Sequence, residues 1–274
     1  MAEGPLIFGK VWGFLQRDFL TEWRSRFSVL FNLLNIGLTV AAYVFMARLV
    51  APDTLARLTP TKEGYFSFVL VGMATNGAMV TAFTGLARSL QLQQPAGVLK
   101  PLLMSQTRPE AVLLLSSLYP LVRALVDLGV YLLVGWVLGG FSLARANVPG
   151  AAVIACLAIV AFSSLGLCAA AFTVLFKYGN PLMWVIGSSS WLLSGVLYPP
   201  ALLPPPLRWA AGLLPLTHAL QGMRAALLAG ASLWELLRPM ALLTAFSAIM
   251  VPLGVMLFNL GLQRARVRGT LVEW

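Results

Sequence analysis

Charge is scarce in this sequence. Of its 274 residues only 10% are Asp, Glu, Lys or Arg, against 59% hydrophobic, and the mean hydropathy is +0.85. A soluble domain needs about 25% charged residues to coat its surface, so water is not the main solvent here. Acidic residues are rarest, nine against 19 Lys and Arg. The resulting charge of +10 does not point to nucleic acid, because the cations are spread along the ends of apolar runs and form no polar module. They fit topology signals and lipid-headgroup contacts. The one histidine, His218, has no Cys or His at ligand spacing, which argues against a metal site and for hydrogen bonding or packing. Cys156 and Cys168 lie on one apolar run, roughly 18 Å apart along a helix, too far to bridge each other. They are expected to be free core thiols. No Gly-x-x-x-x-Gly-Lys-[Ser/Thr] loop occurs, so nothing cradles a triphosphate and any ATP must be handled by another chain. No catalytic residues are assigned.

What the sequence does have is long apolar runs. Six of them reach, or nearly reach, the roughly 20 residues that cross a hydrocarbon core: Phe27–Ala47, Tyr65–Leu86, Ala111–Leu138, Ala151–Phe176, Pro181–Leu197 and Pro239–Leu262. The expected fold is therefore an all-α integral membrane protein of one domain. Residues 1–26 form an interfacial segment, 27–262 a six-span core and 263–274 a cytoplasmic tail. In the first segment Phe8, Trp12, Leu15, Phe19 and Trp23 recur at steps of three and four, whereas Lys10, Arg17 and Arg24 recur every seven. The two sets fall on opposite helix faces, which describes an amphipathic helix lying in the headgroup plane. A soluble amphipathic helix packed on a partner is the alternative. The segment lacks the apolar core and cleavage site of a secretory signal and is expected to remain in the mature protein. With the N-terminus inside, inner flanks hold eleven cations and outer ones seven, so both termini are expected to be cytoplasmic.

Two connections carry structure of their own. Between the second and third spans, Val98, Leu99, Leu102 and Leu103 give a short helical pattern between Pro95 and the helix-starting pair Arg108-Pro109. A cytoplasmic helix of that size is a docking element. Before the last span, Pro199, Pro200, Pro204, Pro205 and Pro206 open a segment that continues through Trp209, Pro215 and His218 to Gly230. Its apolar pieces are too short to span and too apolar for water, so a pair of short helices dipping back into the outer leaflet is expected.

Within the spans, Arg123 and Asp127 stand four apart on one helix face. Ionisable groups in hydrocarbon cost at least about 2.5 kcal/mol each on insertion scales, so neither faces lipid. The pair either contacts a substrate path or subunit interface, or bolts its helix to a neighbour. Asn32, Asn35, Thr75, Asn76 and Thr81 put polar groups where lipid-facing helices carry Leu or Val. Either interhelical hydrogen bonding, on the order of 0.6 kcal/mol each, or the lining of an amphipathic conduit accounts for them.

The order of these elements resembles the membrane (permease) subunit of type-2 ABC exporters. Gly97-Val98-Leu99-Lys100-Pro101-Leu102-Leu103 followed by Arg108-Pro109 resembles that family's coupling-helix stretch, with Val98 and Lys100 departing from the usual Thr-Leu-Glu-like run. Ser194-Gly195 through Pro199, Leu202-Leu203-Pro204, and Leu214-Pro215-Leu216-Thr217-His218-Ala219-Leu220 with Arg224 resemble the stretch around its re-entrant hairpin. The resemblance implies a homodimer, or a pseudo-symmetric heterodimer, with two cytoplasmic ABC ATPase subunits that hold the ATP and Mg. It implies a bacterial plasma (inner) membrane location, coupling through Gly97, Val98, Leu99, Lys100, Leu102, Leu103 and Ser105, and a path beside the first, second and fifth spans. Pro199, Pro204, Trp209, Pro215 and His218 belong to the outer gate. The cargo is then a lipid, lipid-linked glycan or drug-like amphiphile. Two rivals stand beside this reading. An ion-driven secondary transporter usually has repeated halves with matched broken helices, which are not evident here. An intramembrane serine protease needs Ser190 and His218 within hydrogen-bond reach.

Overall fold

A polypeptide surrounded by lipid satisfies its backbone polar groups internally, which favours helices. Every regular element among the described residues is helical. The computed structural model describes residues 26–49, 64–93, 109–139, 146–176 and 181–267, with the single positions Gly13, Gln16, Phe19 and Leu20. Those four are exposed helical positions. The rest of the expected in-plane helix lies outside the described residues, as do Gly97, Val98, Leu99, Lys100, Leu102, Leu103 and Ser105 of the coupling stretch.

Among the described residues, five helices are long and apolar enough to cross a membrane. They are α1 (Arg26–Leu49), α2 (Gly64–Gln93), α3 (Pro109–Gly139), α4 (Val148–Phe176) and, last in the chain, α8 (Leu237–Val267). Between α4 and α8 come α5 (Pro181–Leu193), a 3-10 turn (Pro200–Leu202), α6 (Pro205–Leu213) and α7 (Pro215–Leu227). Of the six expected spans, five correspond to these helices, and the sixth is not matched by a helix of spanning length among the described residues. The fifth expected run, Pro181–Leu197, is helical only to Leu193 and covers about 20 Å at 1.5 Å per residue. It stops because Gly195 takes φ +80, a left-handed conformation that glycine adopts without a Cβ penalty and that ends helices. The Tyr198 hydroxyl then donates back to the Leu192 carbonyl, satisfying one of the groups that a helix end leaves bare.

The helices α2 and α4 form the centre. Two-thirds of the spanning window of α2 and 56% of that of α4 are buried, against 11% for α1, 17% for α3 and 22% for α8. Small residues set the close approaches, as is usual where lipid offers no hydrophobic drive between helices. Gly166 of α4 lies against the backbone of Phe83 in α2, where a Cβ would stand 2.4 Å from the carbonyl oxygen. Along the α2–α3 seam Gly135 meets Leu70, Gly77 meets Tyr131 and Gly85 meets Pro120, so the two helices run antiparallel in register. Gly222 of α7 sits on Ile154 of α4, and Gly254 of α8 on Leu167 of α4. The buried cluster continues from Ile36 and Val40 of α1 through Val71 and Met79 to Ile154, Leu216, Leu220 and Met223. Its apolar rim is open, with Phe27, Phe31, Phe45, Trp136 and Trp184 all exposed.

Candidate functional site

Two polar constellations sit in this apolar body. The first is centred on Asp127, which is buried. Arg123 Nε donates to its Oδ1 at 3.1 Å, one turn away on α3. From α1, Asn32 Nδ2 donates to the same oxygen at 3.2 Å, and from α2, Thr81 Oγ1 donates to Oδ2 at 3.1 Å. Both carboxylate oxygens therefore have donors, the condition under which a buried charge is tolerated, and charge assistance strengthens each bond. The sequence placed four polar residues on three separate runs; the fold brings them to one carboxylate and ties α1, α2 and α3 together. Thr75 does not join them, since its hydroxyl donates to Val71 O of its own helix at 2.7 Å. Asn35 is exposed on α1 and Asn76 half-buried on α2.

The second constellation lies around the short helices. Leu214 is the hinge between α6 and α7. Carbonyls at the end of α6 lack full helical pairing, and the first turn of α7 meets them: Thr217 Oγ1 donates to Ala211 O at 2.6 Å, beside the Leu214 N–H, and His218 Nε2 stands 2.9 Å from Gly212 O. Pro204 precedes α6, and Pro215 opens α7 and is buried, positions where the missing N–H costs nothing. Pro199 precedes the 3-10 turn. Trp209 projects outward, 82% exposed. Ser190 Oγ is buried and makes no hydrogen bond among the described residues. With His218 turned to Gly212, that serine has no base in reach, as a nucleophile would need.

The sequence reading missed Arg224 as a site. It is the single cation of α7, and an ionisable group among apolar neighbours has to find acceptors; that was the available signal. Its guanidinium reaches two other elements. Nη1 donates to Gly195 O at 2.9 Å and Nη2 to Val196 O at 2.8 Å, just past the end of α5. Nε and Nη2 each stand 3.3 Å from Phe68 O, near the start of α2. The guanidinium carbon lies 3.4 Å from the centroid of the Phe68 ring, a cation–π contact. Gly72 makes the notch, because a Cβ there would stand 2.3 Å from Val196 O and 2.8 Å from Nη2. Burial lowers the Arg224 pKa to about 9, so the group stays cationic at neutral pH.

Asn147, also missed, clasps the far end of α7. Its Oδ1 accepts from Gly150 N at 2.9 Å, capping α4, and its Nδ2 donates to Ala231 O at 2.7 Å. Its own N–H donates to Ala226 O at 2.9 Å.

Residues 10–228, well over half of the chain, match the family model described as ABC-2 type transporter. No curated protein matches the chain. A multi-pass helical body fits the membrane component of such a system, which is distinct from its ATPase. The chain belongs to the ABC-2 type transporter family, as a transmembrane permease component that pairs with an ABC ATPase.

Proposed function

We propose that this chain is the permease of an ATP-driven exporter in a bacterial plasma membrane, built from two permease copies and two ATPase subunits. It moves an amphipathic substrate, such as a lipid, a lipid-linked glycan or a drug-like molecule, outward by alternating access. The family match carries the reading, and it displaces the ion-driven transporter and the serine protease. Residues 94–108 follow α2 directly, so the coupling stretch hangs from the most buried helix of the body. ATP bound on the partner subunits biases the pair towards one state, and the coupling residues pass the shift into α2 as a rigid-body movement.

Orientation follows from the cations: the hairpin α6–α7 faces outward, both termini face the cytoplasm, and residues 181–196 complete a sixth crossing. This is supported by the approach of Val196 to Gly72, and by Arg224 bonding to both Val196 and Phe68, at one end of α2, while Gly166, further along α4, meets Phe83 towards the other. The second copy sits against α1 and α5, which leave Phe31, Leu34, Trp184 and Leu192 exposed. Asn35 and Asn76 line the path, whereas Asn32, Thr81, Arg123 and Asp127 act as an internal tie. Pro199, Pro204, Trp209, Pro215 and His218 belong to the outer gate.

The test is co-purification from native membranes in mild detergent, with an ATPase assay on wild type and on Leu102→Asp. An ATPase chain at one-to-one stoichiometry, lost in the variant, is the expected result. A permease that purifies alone from intact membranes would sink the reading.

A further inference from the structure

Arg224 joins three segments that are distant in sequence. It sits on α7 and is bonded to the turn after α5 and to the first turns of α2. Several independent features build this contact. Gly72 leaves room for it, Phe68 supplies both a carbonyl and an aromatic face, and Gly195 takes a left-handed turn beside it. At the other end of the same rod, α2 runs on to Gln93. Thirty residues at 1.5 Å each make α2 about 45 Å long, more than a hydrocarbon core of about 30 Å requires. No proline interrupts it, so it has none of the usual causes of a sharp kink at proline. A displacement applied at Gln93 therefore arrives at Phe68 with little loss.

Resting on the exporter reading above, we propose that Arg224 is a positioning residue that makes the hairpin α6–α7, the end of α5 and the Phe68 end of α2 move as one body, so that movement entering at Gln93 reaches the hairpin. A guanidinium suits this task because its planar fork holds several carbonyls at fixed angles and stacks on an aromatic ring, where an ammonium would not. Van der Waals packing of α7 on α4 through Gly222 and Ile154 remains when the clamp is removed, so the hairpin is loosened and not unfolded.

The experiment places spin labels at Leu213→Cys and Tyr65→Cys, with Cys156 and Cys168 replaced by Ala, and dilutes this chain with unlabelled copies to read the distance within one copy; a chain labelled at Leu213→Cys alone, undiluted, gives the distance between copies. Distances are read in the intact complex with and without ATP. In wild type the Leu213–Tyr65 distribution is narrow and unchanged by ATP, while the distance from Leu213 to Leu213 of a second labelled copy shifts. In Arg224→Met the first distribution broadens and the ATP-dependent shift of the second is lost, although ATP hydrolysis by the complex continues. Arg224→Lys gives an intermediate width. If Arg224→Met does not accumulate, Gly72→Ala dislodges the same contact from the α2 side and is read in the same way. An unchanged narrow distribution in these variants would overturn the clamp whatever ATP does. A broadened distribution in a complex where ATP moves neither wild type nor variant would instead overturn the exporter reading, and with it the transmitting role.

Discussion

At the scale of single residues, buried charge decides what the spans can be. Asp127 is held by donors from its own helix and two others, so its removal takes away the carboxylate that Arg123, Asn32 and Thr81 share. Removing one partner of a buried ion pair costs more than the net worth of the pair. Asp127→Asn is expected to destabilise the folded chain by on the order of 2 kcal/mol, read as a lower midpoint of thermal unfolding in detergent. Replacing both partners with apolar residues, Arg123→Met with Asp127→Leu, is expected to recover most of that loss. A double variant as unstable as the sum of its parts would show that the two residues do not act on each other. The spacing of Arg123 and Asp127 made their pairing legible in the sequence. That Asn32 and Thr81 would complete the set, while Thr75 turned back to Val71, was not legible. Any of the five polar residues could satisfy itself within its own helix, and only the rotation of each helix decides which one looks at the carboxylate.

At the scale of elements, the ends of helices matter more than their middles. Asn147 caps α4 and at the same time holds the segment that leaves α7, through Gly150 N and Ala231 O. Asn147→Ala removes an N-cap worth about 1 kcal/mol and a second hydrogen bond of similar size. Faster amide exchange is expected at Gly150, Ala151 and Ala231, with exchange at the centre of α4 unchanged. Equal acceleration along all of α4 would mean that Asn147 supports the whole helix and not its end. The helices of α1 to α4 and α8 were legible to within a few residues, apart from a longer continuation of α2 to Gln93 and of α8 to Val267. The helix of the fifth run ends at Leu193, earlier than the run itself. Hydropathy continues through Val196 and Leu197, and nothing in hydropathy registers that Gly195 would take a left-handed turn. The hairpin was expected from its prolines, and two short helices are present; the hydroxyl of Thr217 and the ring of His218, which close the hinge, carry no distinctive pattern in the sequence.

At the scale of the whole molecule, the apolar exterior and the asymmetric cations set the placement in a membrane. Leu213 at the hairpin and Gln263 near the end of α8 are both exposed. With the hairpin outward, a membrane-impermeant maleimide is expected to label Leu213→Cys in intact cells. Gln263→Cys is expected to react only after permeabilisation, in a chain lacking Cys156 and Cys168. The reverse pattern would invert the topology and remove the gate assignment. A weak cation bias, eleven against seven, makes this prediction a genuine test, because the flank rule acts through a small free-energy difference between orientations.

The sequence by itself determined that this chain lives in lipid and that its elements are helices. Each of these follows from composition or run length, which are local properties of the chain. Its resemblance to the ABC-2 permeases rested on the order of loose motifs, and the family match bears that out. Tertiary structure decided the rest. It selected α2 and α4 as the centre, through glycine notches that act only when a particular neighbour is opposite. It gathered Asn32, Thr81, Arg123 and Asp127, and it set Arg224 on Phe68, Gly195 and Val196. Hydrogen bonds and ion pairs reach about 3 Å, so which groups meet depends on how the helices are rotated and packed against one another, and that choice is made jointly by residues far apart in the chain.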